Sequence, residues 1–482
     1  MKKKLICLIL VVLFALPLVS CFRSDEKYDY DMNKYITLAN YKGYEVVVNL
    51  DDISRSIDSA LLEKATQYKV KAGDTIYVEI LNPCYVEYLK DDDGNLVKDS
   101  GGNFIDMKGE EIPALANDNL KIENIGSGSY APQLEMALVG VRIGETVSNK
   151  VTLPENFIIP EYAGKEVYMD VKVKDMACRN GDGVTVSYTG YYTVKNEDGG
   201  IVKKKDENGK YVTFDSSDSA NFYLGSHLAI DDFEKNIIGL RLTDDKSTEI
   251  NENKKEFFAT FPDDYGVDTL NGQTVIFEVT LKSILEVPVF NDEFVKTYYS
   301  SYSTTEELEQ SLIDNYVKNT VYTHLTNDST VIKYPKSEYK NAEESIKNNE
   351  EAFKSTYGID FDTYLKNYHG ITRDEYIKSQ LLTEMIYYSI SKSENIVPSQ
   401  EALDKAHEDA VEKYKQIYIS EYSMGENEAF TSATKYVDEY LGSTYIYEET
   451  MYKMVDEFIL SAAKVTKTDK TFTSVTEERA GK

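Results

Sequence analysis

The sequence predicts an α+β chain: two tandem copies of one small domain, each an antiparallel sheet wrapped on a short helix, followed by an all-α region. Three observations carry this reading. Residues 153–171 (LPENFIIPEYAGKEVYMDV) and 261–279 (FPDDYGVDTLNGQTVIFEV) share one template, 108 residues apart: apolar, Pro, acid, Asp or Asn, aromatic, then a glycine and an alternating strand. Gly73-Asp74 and Gly181-Asp182 recur at the same offset. From about residue 287 the period of two gives way to helical spacing.

The N-terminus reads as a secretory signal over 1–20, with MKKK as the positive region and LICLILVVLFALPL as the apolar one. That apolar run is shorter than the ~20 residues a spanning helix needs. Leu18-Val19-Ser20-Cys21 resembles a bacterial lipobox, which implies cleavage just before Cys21 and lipid on its thiol. Residues 21–35, polar and acidic, are expected as a tether. Residues 36–71 hold the strand-like ITLANYKGYEVVVNL and then a helix capped by Asp51 or Asp52. The helix is expected to run to about Tyr68, with Ile53, Ile57, Leu61 and Leu62 on one face.

The two copies are expected over 72–178 and 180–286. Each opens on an alternating strand, with Ile76, Val78 and Ile80 pointing one way in the first and Val184, Val186 and Tyr188 in the second. A polar loop follows in each. IGSGSYAPQLEMALVG (125–140) and LGSHLAIDDFEKNIIG (224–239) then read as a turn, a short helix and a Gly stop, 99 residues apart. The offset returns to 108 because the second copy inserts nine residues within TDDKSTEINENKKE. Each copy closes on a strand, Val167, Met169, Val171, Val173 or Val275, Phe277, Val279, Leu281. The helical region is expected over 287–470. It opens with a capping box, Thr304 with Glu307, ahead of Leu308, Leu312, Tyr316 and Val317 on one face. Further helices are expected near 336–356, 372–392, 399–422, 427–441 and 447–463, and residues 471–482 as a tail.

Composition excludes several functions. Formal charge is −30, or −33 without Lys2, Lys3 and Lys4 of the signal, so the surface repels phosphate backbones and anionic headgroups. No nucleic-acid partner is expected, and membrane attachment is expected through lipid. There is no CxxC, HExxH, GxxxxGK[ST] or GxSxG, and the four His are scattered, so no metal site, cofactor or nucleophilic triad is expected. A solute-binding lipoprotein would need a two-lobed α/β pattern, which the chain lacks. The 39 Tyr, with no Trp, suit surfaces that touch varied apolar partners while staying soluble.

Within the second copy, VSYTGYY, TFDSS, FYLGS, AIDDFEKNIIG and FPDDYG…VIFEV resemble the FKBP-type peptidyl-prolyl isomerases. VPVFNDEFVK…TTEELEQSLIDNYVKN and VDEFILSAAKVTK resemble the C-terminal chaperone domain of trigger factor, and ITLANYKGYEV resembles the segment ahead of its isomerase domain. The family's ribosome-docking domain is replaced by the lipobox signal, and the first FKBP-like copy is extra. The resemblance therefore implies an isomerase and chaperone for unfolded or proline-containing polypeptides. It implies a place on the extracytoplasmic face of the bacterial cell membrane, held by lipid and not by a ribosome.

Prolyl isomerisation needs no nucleophile or metal. Amide resonance sets a barrier of about 18–20 kcal/mol, and a dry pocket that favours the twisted amide is enough to lower it. The resemblance puts Tyr188, Phe214, Phe222, Phe233, Tyr265 and Phe277 around that pocket, Ile230 at its floor or rim with its backbone N–H toward a substrate carbonyl, and Asp215 as the polar member. The first copy has Ile80, Leu134 and Met169 where the second has Tyr188, Phe233 and Phe277, and Ile105-Asp106 is the counterpart of Phe214-Asp215. A folded but non-catalytic domain is expected there. The Tyr stripe of the last helices (Tyr436, Tyr440, Tyr445, Tyr447, Tyr452) reads first as half-buried core and second as client contacts.

Overall fold

The structure is a computed structural model that describes residues 27–242, 253–471 and 473–480. The expected signal, Cys21 and most of the nine-residue insertion lie outside the described residues. The chain forms two compact units, one of Asp51–Leu308 with Lys470–Lys482, the other of Met1–Leu50 with Glu309–Asp469. The segment expected as one piece over 36–71 is therefore shared between them, and the first helical residues after 287 go with the sheets.

The sheet unit holds two modules of equal topology. In the first, β1 (Ile76–Tyr88) is central, paired antiparallel with β2 (Asp106–Glu111) and β3 (Asn117–Ile122) on one side and β5 (Glu166–Asp175) on the other. β4 (Thr146–Thr152) closes the far edge against β5. The short helix α1 (Pro132–Leu138) lies between β3 and β4 in sequence and buries Leu134 and Leu138. The second module repeats this with β6 (Gly183–Tyr191), β7 (Thr213–Tyr223), α2 (Asp231–Ile237), β8 (Lys254–Thr260) and β9 (Thr274–Glu286), in the order β7-β6-β9-β8. The alternation read from the sequence is the burial pattern: Ile76, Val78, Ile80, Val184 and Val186 are all buried.

The two modules share one apolar core from Tyr68 to Ile284. Residues 66–70 belong to both: Gln67 pairs with Leu285 of β9, while Val70 donates its N–H to Val141. The same link recurs where Cys178 donates to Leu240. Arg241 fastens the joint. It donates from Nε and Nη2 to the buried Asp175 at 2.9 and 3.0 Å, and its guanidinium lies 3.3 Å over the Tyr77 ring. Cys84 and Cys178 are both free and buried, and burial pushes the Cys178 thiol up to about 11.

Three local expectations differ. The helix expected to reach Tyr68 ends at Glu63, because Thr66–Gln67 is drawn into pairing with β9. The polar loops are not irregular. In the first module residues 89–105 run as two turns of an eight-residue repeat, LKDDDGNL and VKDSGGNF. Leu89, Val97 and Ile105 exchange three backbone hydrogen bonds in a closed ring. Tyr192, Lys204 and Val212 make the same ring in the second module. Each hairpin tip is fixed by Asp91, Asp99, Asn196 or Asp206, whose side chain accepts the N–H four residues on.

The third concerns the tether. Residues 27–35 pack into the helical unit. Tyr28 is 0% exposed, its ring 4.6 Å from that of Tyr388 and its hydroxyl donating to Glu384 at 2.8 Å. An aromatic ring with a buried carboxylate for its hydroxyl overrides the polar composition around it. The helices of this unit run over Thr305–Asp328, Lys336–Tyr357, Arg373–Glu394, Gln400–Tyr422, Glu426–Lys435 and Gly442–Ala462, close to those expected. Phe361–Tyr364 adds a short helix not expected from the sequence. The Thr304 cap accepts the Glu307 N–H, but the Glu307 carboxylate reaches Ser303 instead of Thr304. Many Tyr hydroxyls here end on carboxylates, as Tyr322 and Tyr387 do on Asp456.

Candidate active site

The second module brings its expected aromatic residues together. Strand β6 supplies Tyr188, β7 Phe214 and Phe222, α2 Phe233, and β9 Phe277. Phe233 and Phe277 are buried with centroids 4.9 Å apart. Phe222 lies 4.9 Å from Phe233, and Tyr188 edges onto Phe222, Phe233 and Phe277 at 5.9, 5.8 and 6.2 Å. Phe214 meets Phe277 at 5.6 Å. Phe233 and Phe277 thus form a floor, and the half-buried Tyr188, Phe214 and Phe222 stand around it. The Tyr188 hydroxyl donates to Asp215 Oδ2 at 2.7 Å, and desolvation and that bond push its pKa up to about 12.

Two more rings and a glycine complete the set, none of them singled out by sequence. Phe257 on β8 backs Phe233 and Phe277, each at 5.9 Å. Phe261 bridges Phe214 (5.7 Å) and Tyr265 (4.5 Å). Gly190 gives room for Phe214: a Cβ there would stand 2.4 Å from the Phe214 Cζ. The residues stand in VSYTGYY and FFATF, but no pattern in the sequence marked Gly190, Phe257 or Phe261 as part of a pocket. Tyr265 meets the cluster at Phe261 and is 46% exposed.

Ile230 caps α2 on an ordered turn. Glu234, buried, accepts the N–H groups of Gly225 at 2.8 Å, His227 at 3.3 Å and Ala229 at 2.9 Å. This leaves Ile230 as the next residue along the chain. Glu135 clips Gly126, Gly128 and Tyr130 of the first module in the same way, at 2.9, 2.8 and 2.8 Å. The backbone frame is therefore common to both modules.

The filling differs. In the first module Ile80, Leu134 and Met169 are buried where the second has Tyr188, Phe233 and Phe277. Phe157, at the position of Tyr265, is 5% exposed and packs edge-on to Tyr130 at 5.3 Å. Asp106 is engaged by Lys150 at 2.5 Å and Tyr168 at 2.6 Å, and no aromatic hydroxyl stands at position 80 to meet it. The floor rings and Tyr188 of one copy are replaced in the other by aliphatic core, and the exposed Tyr265 by an inward-turned Phe.

No family model matches the chain. Among curated proteins it is similar to trigger factor of Clostridium botulinum, 26% identical over 316 residues that cover 59% of this chain and 70% of that protein. It is similar also to trigger factor of Clostridium perfringens, 30% identical over 213 residues, 41% of this chain and 46% of that one. Over these stretches the chain is similar in sequence to trigger factors. Among solved structures, one of trigger factor from work on promiscuous substrate recognition covers 59% of this chain and 62% of its own, at 12% identity and TM-score 0.20. A wheat protein with three FKBP domains covers 45% of this chain at 14% identity and TM-score 0.15. Among the described residues, the cluster of Tyr188, Phe214, Phe222, Phe233 and Phe277 lies in the second of the two modules.

Proposed function

We propose that this chain is a lipid-anchored foldase on the extracytoplasmic face of the bacterial membrane, which isomerises prolyl bonds in its second module and holds unfolded secreted polypeptides. The observation that carries the isomerase reading is the ring floor of Phe233 and Phe277, with Tyr188 bonded to Asp215 at its edge. A proline ring set on that floor loses water on one face, and so does the amide ahead of it. A substrate carbonyl accepts the Ile230 N–H, which fixes one side of the rotating bond. Catalysis comes from holding the twisted amide better than the planar one, so the groups needed are apolar walls and fixed dipoles. The similarity to trigger factors supports the chaperone role. The exposed Tyr440, 4.9 Å from Tyr436 and through it continuous with Tyr414, is a platform for apolar client segments.

The test compares wild type with Tyr188→Ala and Asp215→Ala on a short Xaa-Pro peptide and in a proline-limited refolding reaction. A fall in kcat/KM of about tenfold or more is expected for Tyr188→Ala. Equal rates, with aggregation still suppressed, would make the chain a holdase with an idle isomerase fold. Anchoring is tested by detergent phase partition of wild type and Cys21→Ser. The reading requires wild type in the detergent phase and the variant in the aqueous one.

A further inference from the structure

Residues 473–480, expected as a tail, fold against the second module. Ser474, Val475 and Thr476 are buried. The Val475 N–H donates to the Gly225 carbonyl at 3.2 Å, and Thr476 Oγ1 to the Tyr223 hydroxyl at 3.0 Å. Arg479 reaches the Val287 carbonyl at 3.0 Å and the Gly181 carbonyl at 3.4 Å. Thr471 donates its N–H to Asp51 at 3.0 Å, which ties the approach to the helix Leu50–Glu63. Among the described residues the first module has no such cover at the matching place: the residue 99 positions before Tyr223 is Asn124, which is exposed.

The contacts lead to the candidate site. Gly225, whose carbonyl takes Val475, gives its own N–H to Glu234, and Glu234 holds Ala229 beside Ile230. Tyr223 directly follows Phe222 in β7. The tail thus holds the first residues of the 223–230 turn from one side while Glu234 holds the rest from the other.

We propose that residues 474–479 are a strap that positions the Ile230 amide and the Phe222 ring for the prolyl substrate, a role that rests on the isomerase reading above. Thr476 and Arg479 are positioning residues that act through Tyr223 and the turn. Without the strap, the Gly225 peptide keeps one tie of two, and the turn must be ordered when substrate binds. That cost falls on binding in ground and transition state alike, so it raises KM more than it lowers kcat.

The experiment uses the full-length protein, a Thr476→Val/Arg479→Ala variant and a chain lacking 473–482, assayed on a short Xaa-Pro peptide at low temperature where circular dichroism shows all three folded. The expected result is a fall in kcat/KM of about fivefold, mostly through KM. Thr476→Ser, which keeps the hydroxyl, should behave as wild type, and a synthetic 470–482 peptide should restore the truncated chain saturably where a scrambled one does not. Hydrogen exchange should quicken at 224–230 and stay unchanged at 125–131. Folded variants with unchanged kcat/KM overturn the proposal, whether or not exchange quickens. A wild type with no isomerase activity sinks the isomerase reading instead, and unchanged exchange at 224–230 would then sink the strap as well.

Discussion

Tyr188 donates its hydroxyl to Asp215 across the β6–β7 pair, at 2.7 Å, while its ring edges onto three phenylalanines. One side chain thus serves as wall and as polar anchor. Tyr188→Phe separates the two: the ring stays and the bond is lost. A fall of about three- to tenfold in kcat/KM is expected, smaller than for Tyr188→Ala, because one hydrogen bond at a half-exposed site contributes about 1 kcal/mol. Asp215 is exposed, so urea denaturation should show little change for Tyr188→Phe.

Gly190→Ala places a methyl group where the Phe214 ring now lies. The ring must turn out or the strands must part. Overpacking of this kind costs about 1–3 kcal/mol. The expected outcome is a folded protein of lower denaturation midpoint, with isomerase activity reduced in a way that Gly199→Ala, at an open hairpin tip, does not reproduce at the site.

Phe157 and Tyr265 stand at matching positions with opposite exposure. Phe157→Ala removes a buried ring and should destabilise the sheet unit by about 3–5 kcal/mol, with no direct effect on the site. Tyr265→Ala should cost under about 1 kcal/mol and, if Tyr265 meets substrate, weaken peptide affinity. Denaturant titration beside peptide binding checks the contrast.

Asp58, on the helix Leu50–Glu63, is fully buried and neither carboxylate oxygen has a hydrogen-bond partner among the described residues. Thr476 faces it from the strap, Glu234 and His227 from the second module, and Lys470 and Tyr223 complete its surroundings. Burial pushes its pKa up to about 6 from 3.8. A carboxyl raised on folding destabilises the fold above its folded pKa, and that penalty fades as pH falls through about 6 toward 4. The raised value corresponds to about 3 kcal/mol at neutral pH. Asp58→Asn should therefore be more stable than wild type at pH 8 and equal to it near pH 4. A residual slope remains from Glu234, which burial also raises.

Removing one partner at the module joint should be costly. Asp175 is 0% exposed, so Arg241→Ala leaves a buried carboxylate without its bidentate partner, a loss of about 3–5 kcal/mol. The replacement Asp175→Asn with Arg241→Gln, which removes both charges, should recover part of it. Thermal unfolding of wild type, Asp175→Asn, Arg241→Gln and the double variant gives the coupling directly.

The repeat was legible because burial on one sheet face imposes a period of two, and because the Gly-Asp turns and the turn of Pro, acid, Asp or Asn, and aromatic recur at fixed offsets. Tyr188, Phe214, Phe222, Phe233 and Phe277 were legible from the motifs of a known family, and the structure brings them into one cluster. Gly190 was missed because its role is space for a ring from another strand, which no local pattern reports. The octapeptide hairpins were read as loop because polarity hid a repeat of eight. Lys27–Tyr35 and Ser474–Arg479 were assigned to tether and tail for their composition. Each is held by two or three buried residues, Tyr28 and Met32 in the first and Ser474, Val475 and Thr476 in the second, and the partners of Tyr28, Val475 and Thr476 lie hundreds of positions away in sequence.

The placement of Thr471 and the strap has a consequence for biosynthesis. Ribosomes deliver the chain from its beginning, yet the second module receives its last fastenings from residues 471–479. The helical unit likewise pairs Glu45–Val48 in parallel with Lys464–Lys467. Products cut short by a stop codon before Lys464 would leave both units unfinished, an early edge strand in one and a bare turn in the other, and would be open to proteolysis. Each unit is thus closed by a segment that leaves the ribosome hundreds of residues after the partner it fastens.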